Sequence, residues 1–177
     1  MKVLQINSVC GYGSTGKIMV EINQILNKQG HSGVMAFGRG DYKGGQPAIK
    51  IGNSFDNNYH AIYTRLTGKT GFASYRATVD FIDYIKKFDF DVIHMHNIHG
   101  YYINLEVLFD YLKSIKKPVI WTLHDCWAFT GHCTYFDISK CEKWKNGCNK
   151  CPQKSKYPSS YLLDNSDWNY HKKKELF

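Results

Sequence analysis

Between Lys2 and Val9 the apolar residues alternate as in a short buried strand. After a glycine-rich turn, Ile18, Met19, Ile22, Ile25 and Leu26 recur on one helical face. Gly30 supplies the left-handed position at which such a helix ends. SGVMAFGRG then reads as a second strand, so the opening spells strand, turn, helix, strand: a βαβ unit, whose crossover is right-handed. Residues 41–56, rich in Gly, Asp and Asn, read as loop, and NNYHAIYTRLTG and ASYRATVDFIDYIKKFD as helices. The pattern then restarts. DVIHMHN and PVIWTLHD read as strands on either side of a helix NLEVLFDYLKSIKK, with Pro118 at a strand's first residue, where its missing amide costs least. Alternation of this kind predicts an α/β fold with a doubly wound, mainly parallel sheet, which binds ligands beyond the carboxyl ends of its strands.

From Cys126 to about Pro158 the periodicity stops and cysteine, glycine, lysine and aromatic residues take over. The tail SDWNYHKKKELF reads as a helix capped by Ser166 or Asp167, with no stop signal before the last residue, which is the pattern of a chain that continues in a longer protein. At 177 residues and 43% hydrophobic content the chain suffices for one domain with a core. No run approaches a membrane span, and MKVLQINSV lacks the three-part pattern of a secretory signal, so the expected location is cytoplasmic. The formal charge of +8 favours an anionic partner, whether phosphate, nucleic acid or an acidic bilayer. The lysines, however, are interspersed in KKFD, KSIKK, KCEKWKNGCNK and HKKKELF, as on a solvated face.

Three stretches carry chemistry. GYGSTGKI matches the phosphate-binding P-loop from Gly11 through Lys17 but has Ile18 where a magnesium-binding hydroxyl is needed. Its glycines still let a backbone approach a phosphate at a helix start, and the turn could equally serve only to pack strand against helix. In HMHNIHG, period-two alternation puts His94 and His96 on one side of a strand and leaves Asn97 and His99 in the loop beyond; no adjacent carboxylate completes a metal site. Finally, Cys133, Cys141, Cys148 and Cys151 fall in one segment, the last two as C-x-x-C. Four thiols in a reducing compartment point to structural zinc, with His132 able to replace one cysteine and no open position for catalysis; unliganded or adventitiously oxidised cysteines are the alternative.

The stretches VLQINSVCGYGSTGKIMVEINQILNKQGH, DVIHMHNIHGYYINLEVLFDYL and PVIWTLHDCWAFTGHCTYF, with the closing cysteines, resemble the amino-terminal half of a retaining glycosyltransferase of family four, of the bacterial polysaccharide and colanic-acid type. The resemblance implies a GT-B fold, two Rossmann-like domains facing across a cleft, of which residues 1–177 form the acceptor-side one. A carboxyl-terminal domain would hold most of the nucleotide sugar. On this resemblance Gly13, Ser14, Thr15 and Gly16 lie near the donor diphosphate, and His124 touches the sugar or orders the reacting centre, with Asp125 orienting that imidazole, binding an acceptor hydroxyl or capping a turn. His96, Asn97, His99, Tyr101 and Trp127 become candidate substrate contacts, the aromatic ones by stacking on sugar rings.

The resulting expectation is a hexosyltransferase half that passes sugar from a nucleotide sugar to a glycan or lipid-linked glycan. It would work in bacterial polysaccharide biosynthesis, with possible peripheral contact at the inner membrane face, no catalytic metal and little activity on its own. Two alternatives stay open: a P-loop-like phosphotransferase, against which Ile18 argues, and a zinc-stabilised nucleic-acid or protein-binding module, whose tandem finger spacing is absent.

Overall fold

The computed structural model describes residues 1–177. Ten elements follow in the order β1 (Lys2–Val9), α1 (Gly13–Lys28), β2 (Ser32–Arg39), β3 (Ala48–Lys50), α2 (Ser54–Thr67), α3 (Tyr75–Ile85), β4 (Val92–Met95), α4 (Leu105–Ser114), β5 (Val119–Trp121) and α5 (Ser166–Leu176). All neighbouring strands pair in parallel, in the order β3-β2-β1-β4-β5. The chain winds outward from β1 to β3, then returns to β4 on the other side of β1. This Rossmann-like order makes the boundary between β1 and β4 the topological switch point, the place beyond the strand ends where such sheets bind ligands.

Alternation along the strands sorts the residues into two layers. Leu4, Ile6, Ile93 and Met95 join the main core with Phe81, Ile82, Ile85, Leu105, Leu108 and Leu112 of α3 and α4. The opposite side, facing α1, buries Met19, Met35, Phe37 and Cys10, and also a polar set: Gln5, Asn7, Asn23 and His96. Gly16 lets α1 sit close on β1, since a Cβ there would stand 3.1 Å from Val9 Cγ2 and 3.2 Å from both Gly11 N and Val9 O.

The structure departs from the sequence pattern in three places. Residues 41–56 are not all loop: Ala48–Lys50 adds an edge strand to β2, anchored where Met35 N–H donates to Pro47 O at 3.2 Å. Three residues are too few for any periodicity to show. The end of PVIWTLHD leaves the sheet after Trp121, so His124 and Asp125 stand in a turn past the strand. At α5 the capping position is Asn165, which makes no side-chain cap bond; neither Ser166 nor Asp167 caps it, and Asp164 takes the Ser166 amide instead at 2.9 Å. Residues 126–165 hold only two short 3-10 turns, Asp137–Ser139 and Lys143–Lys145. No helix is long and apolar enough to cross a membrane.

Candidate active site

Two polar positions inside β1 organise the sheet edge. Asn7 donates through Nδ2 to Val9 O at 2.9 Å and to Thr15 Oγ1 at 3.3 Å, while its Oδ1 accepts the Asn97 amide at 3.2 Å. One side chain thus ties the glycine turn to the end of β4. Gln5 lies two residues earlier on the same side, with Nε2 donating to Met19 O at 3.2 Å and to Asn23 Oδ1 at 3.3 Å. Its Oε1 therefore faces His96 Nε2, 3.3 Å away.

That orientation propagates. His96 must carry its proton on Nε2 to satisfy Gln5 Oε1, which leaves Nδ1 as an acceptor for His124 Nε2–H at 3.0 Å. A neutral His124 then presents a bare Nδ1 lone pair, with no protein partner, at the strand ends. Burial pushes His96 down to about 3, with His94 and His124 adding repulsion. Burial also lowers His94, where His124 adds to the effect, and His124, where Asp125 opposes it. His94 stays on the His96 side, ring centroids 4.2 Å apart, and its Nε2 meets Thr122 Oγ1 at 2.8 Å. The arrangement supplies hydrogen-bond acceptors to a ligand rather than cations.

Asp125 does not orient His124. Its Oδ2 accepts from His99 Nε2 at 2.7 Å and its Oδ1 from the Trp127 amide at 2.9 Å, so it braces the loop after β4 against the turn after β5. Burial alone would raise its carboxyl, but the His99 hydrogen bond and charge, the Trp127 amide and His124 together hold it below the ordinary carboxylate range. His99 Nδ1 in turn faces Tyr157 Oη at 3.3 Å, and burial raises that phenol well above its usual value.

The glycine turn keeps an open front. Gly13 and Ser14 are exposed, Thr15 half-buried and Gly16 buried, and no side chain caps the start of α1, whose first turn also lacks an acid. Gly11 (φ +76°) and Gly13 (φ +62°) adopt a backbone that L side chains rarely take. The Gly11 amide is already used, donating to Gly16 O at 3.1 Å, so the free donors are those of the first helical turn.

Among the candidate substrate contacts, Asn97 is half-buried with no protein partner for its side chain, and Tyr101 is half-buried beside Tyr157 and Arg39. Trp127 offers no face to a sugar: it is 1% exposed, with Lys173 Nζ 3.9 Å from its ring centroid and His99 at 5.3 Å. His96 and His99 are likewise buried and act on His124 and Asp125 instead. Sequence reasoning passed over Gln5, Asn7 and Lys173. The first two were legible as polar residues two apart in an apolar strand; Lys173 hid within a lysine run.

The hollow between His96, Asn97, His124 and Asp125 is small, about 10 Å³. Larger cavities lie away from it: one of about 500 Å³ between α3 and α4, and one of about 430 Å³ among Phe129, Trp144, Tyr170 and Phe177. At the small hollow the His96–His124 and His99–Asp125 pairs join the segment after β4 to the segment after β5.

No family model matches the chain. It is similar to a protein of Escherichia coli (strain K12) named as a colanic acid biosynthesis glycosyl transferase, WcaC, with 30% identity over 172 residues. The match takes in 89% of this chain but only 41% of that relative, so the chain spans about two fifths of the protein it resembles.

Proposed function

We propose that the chain is the amino-terminal, acceptor-side domain of a retaining glycosyltransferase that moves a sugar from a nucleotide sugar to a growing glycan in bacterial polysaccharide biosynthesis. The observation that carries this reading is the Asn7 bridge, which ties Thr15 in the uncapped first turn of α1 to the Asn97 amide, one residue past the His96 that pairs with His124, at the switch point of the sheet. First-turn amides of α1, around Ser14, stabilise the departing diphosphate, and the Nδ1 of His124 accepts a hydrogen bond from a sugar hydroxyl. Asn97 contacts the substrate beside it. The similarity to a glycosyl transferase supports the same reading, and the shallow hollow fits a crevice whose opposite wall belongs to a second, carboxyl-terminal domain. The acceptor is a glycan or lipid-linked glycan. Basic residues on the surface would help such a protein work peripherally on an anionic inner leaflet.

The test uses the complete polypeptide containing this domain, assayed for transfer from a panel of nucleotide sugars. Transfer that drops at least ~10-fold in kcat/KM for His124→Ala, equivalent to about 1.4 kcal/mol of transition-state stabilisation, with thermal stability retained, supports the reading. Magnesium-dependent ATP or GTP turnover without sugar transfer would replace it with the phosphotransferase.

A further inference from the structure

The segment after β5 brings its scattered cysteines back together. Cys133, Cys141, Cys148 and Cys151 line one cavity of about 10 Å³, which they share with His132, Phe136 and Trp144. That is room for about one water-sized species. All four cysteines are free. The Gly131 amide donates to Cys148 Sγ at 3.1 Å. Backbone N–H groups aimed at sulfur stabilise thiolates more than thiols.

Two further buried groups stand at this place. His132 is 2% exposed, and its Nε2 is buried with no partner. Lys173 is 1% exposed and reaches only the Trp127 carbonyl and ring; burial pulls its ammonium down to about 7, and Cys148, Cys133 and Asp125 act against that fall. Negative charge placed nearby would hold the ammonium form of a lysine buried this deeply.

We propose that Cys133, Cys141, Cys148 and Cys151 bind a structural zinc ion as four thiolates, with Lys173 offsetting the anionic charge of that centre. No three donors already stand in a coordination shell, so binding at about 2.3 Å to each sulfur draws the thiols inward by side-chain rotation. Each thiol gives its proton to solvent as its Zn–S bond forms, and no oxidant or reductant is involved. The ion cross-links a segment that has almost no regular structure. Through Lys173 and Trp127 it also steadies Asp125, whose Oδ1 receives the Trp127 amide. The inference concerns metal content and rests on no assumption about sugar transfer.

The full chain, purified without chelator, should contain about one equivalent of zinc. Two thiols should react with a thiol reagent in denaturant before chelator is added, and all six after it. Cobalt exchanged into the site should give the intense thiolate charge-transfer and ligand-field bands of a tetrahedral sulfur site. Cys141→Ser and Cys151→Ser should lose the metal, and His132→Ala and Cys126→Ser should keep it. Less than about half an equivalent of zinc in the wild-type chain with all six thiols titratable, or loss of zinc in His132→Ala with retention in a cysteine variant, would overturn the assignment. The wild-type measurement decides even if a variant fails to fold.

Discussion

His124 owes its proton arrangement to a residue it never touches. Gln5 Oε1 fixes the tautomer of His96, and His96 fixes that of His124. In the complete polypeptide, His96→Ala should therefore lower kcat/KM less than His124→Ala. It should also change the pH dependence of turnover, because a His124 released from His96 is free to rotate and to exchange tautomer; an unchanged pH profile would argue for a purely structural His96. Asp125→Asn tests the second brace. It removes the charge from the bonds to His99 and the Trp127 amide, and the loss should be about 1.5–3 kcal/mol, the range for hydrogen bonds to charged groups. Denaturant unfolding of this variant measures that loss, and a change below ~0.5 kcal/mol would remove Asp125 from any bracing role. These side chains were visible in HMHNIHG and HDCW as chemistry at strand ends. Their partnerships were not: His99, adjacent in sequence to the first cluster, pairs with Asp125, and that depends on how two loops from different strands meet.

At the scale of elements, short-range rules account for most boundaries. α2 starts at a capping box: Asn53 Oδ1 accepts the amides of Phe55 at 2.8 Å and Asp56 at 3.2 Å, while Asp56 Oδ2 takes the Asn53 amide at 2.9 Å. Asn53→Ala should cost about 1 kcal/mol, seen as a shifted denaturation midpoint with unchanged slope. Elements also meet at glycine: β2 passes under Tyr102 at Gly38, where a Cβ would stand 2.0–2.1 Å from side-chain atoms of Tyr102. Tyr102 is fully buried and donates to Asn97 O at 2.9 Å, so Gly38→Ala should displace the ring and disturb the end of β4, at about 1–3 kcal/mol of overpacking. Amide-shift perturbations confined to β2 would contradict that coupling; they should extend to Asn97. The strand β3 and the cap of α5 escaped the sequence pattern for opposite reasons. The first is held by pairing with β2, and the second by a carboxylate one residue before the cap.

For the molecule as a whole, buried neutral histidines set the response to acid. Burial pushes His60 and His96 down to about 3 from an ordinary 6.5. Below 6.5 the unfolded chain takes up protons that the folded chain refuses, so stability is complete above that pH and declines as pH falls toward about 3. Thermal midpoints should drop steadily from pH 7 to pH 4. His60→Gln, which removes one titrating group held only by Ser74 Oγ at 2.8 Å, should shallow that slope. A midpoint that is flat between pH 7 and pH 5 would contradict the sign.

The sequence by itself determined the α/β class, the βαβ opening, the glycine turn and the presence of histidines where strands end, because hydrophobic period and glycine placement are local and written along the chain. Tertiary structure alone decided that β4 lies beside β1, that Asn7 joins the turn to the histidine edge, that Trp127 is buried, and that one lysine of a basic tail is buried against the Trp127 ring. Each of these depends on residues far apart in the chain, and their distances are fixed only when the sheet order and the two layers of packing are in place.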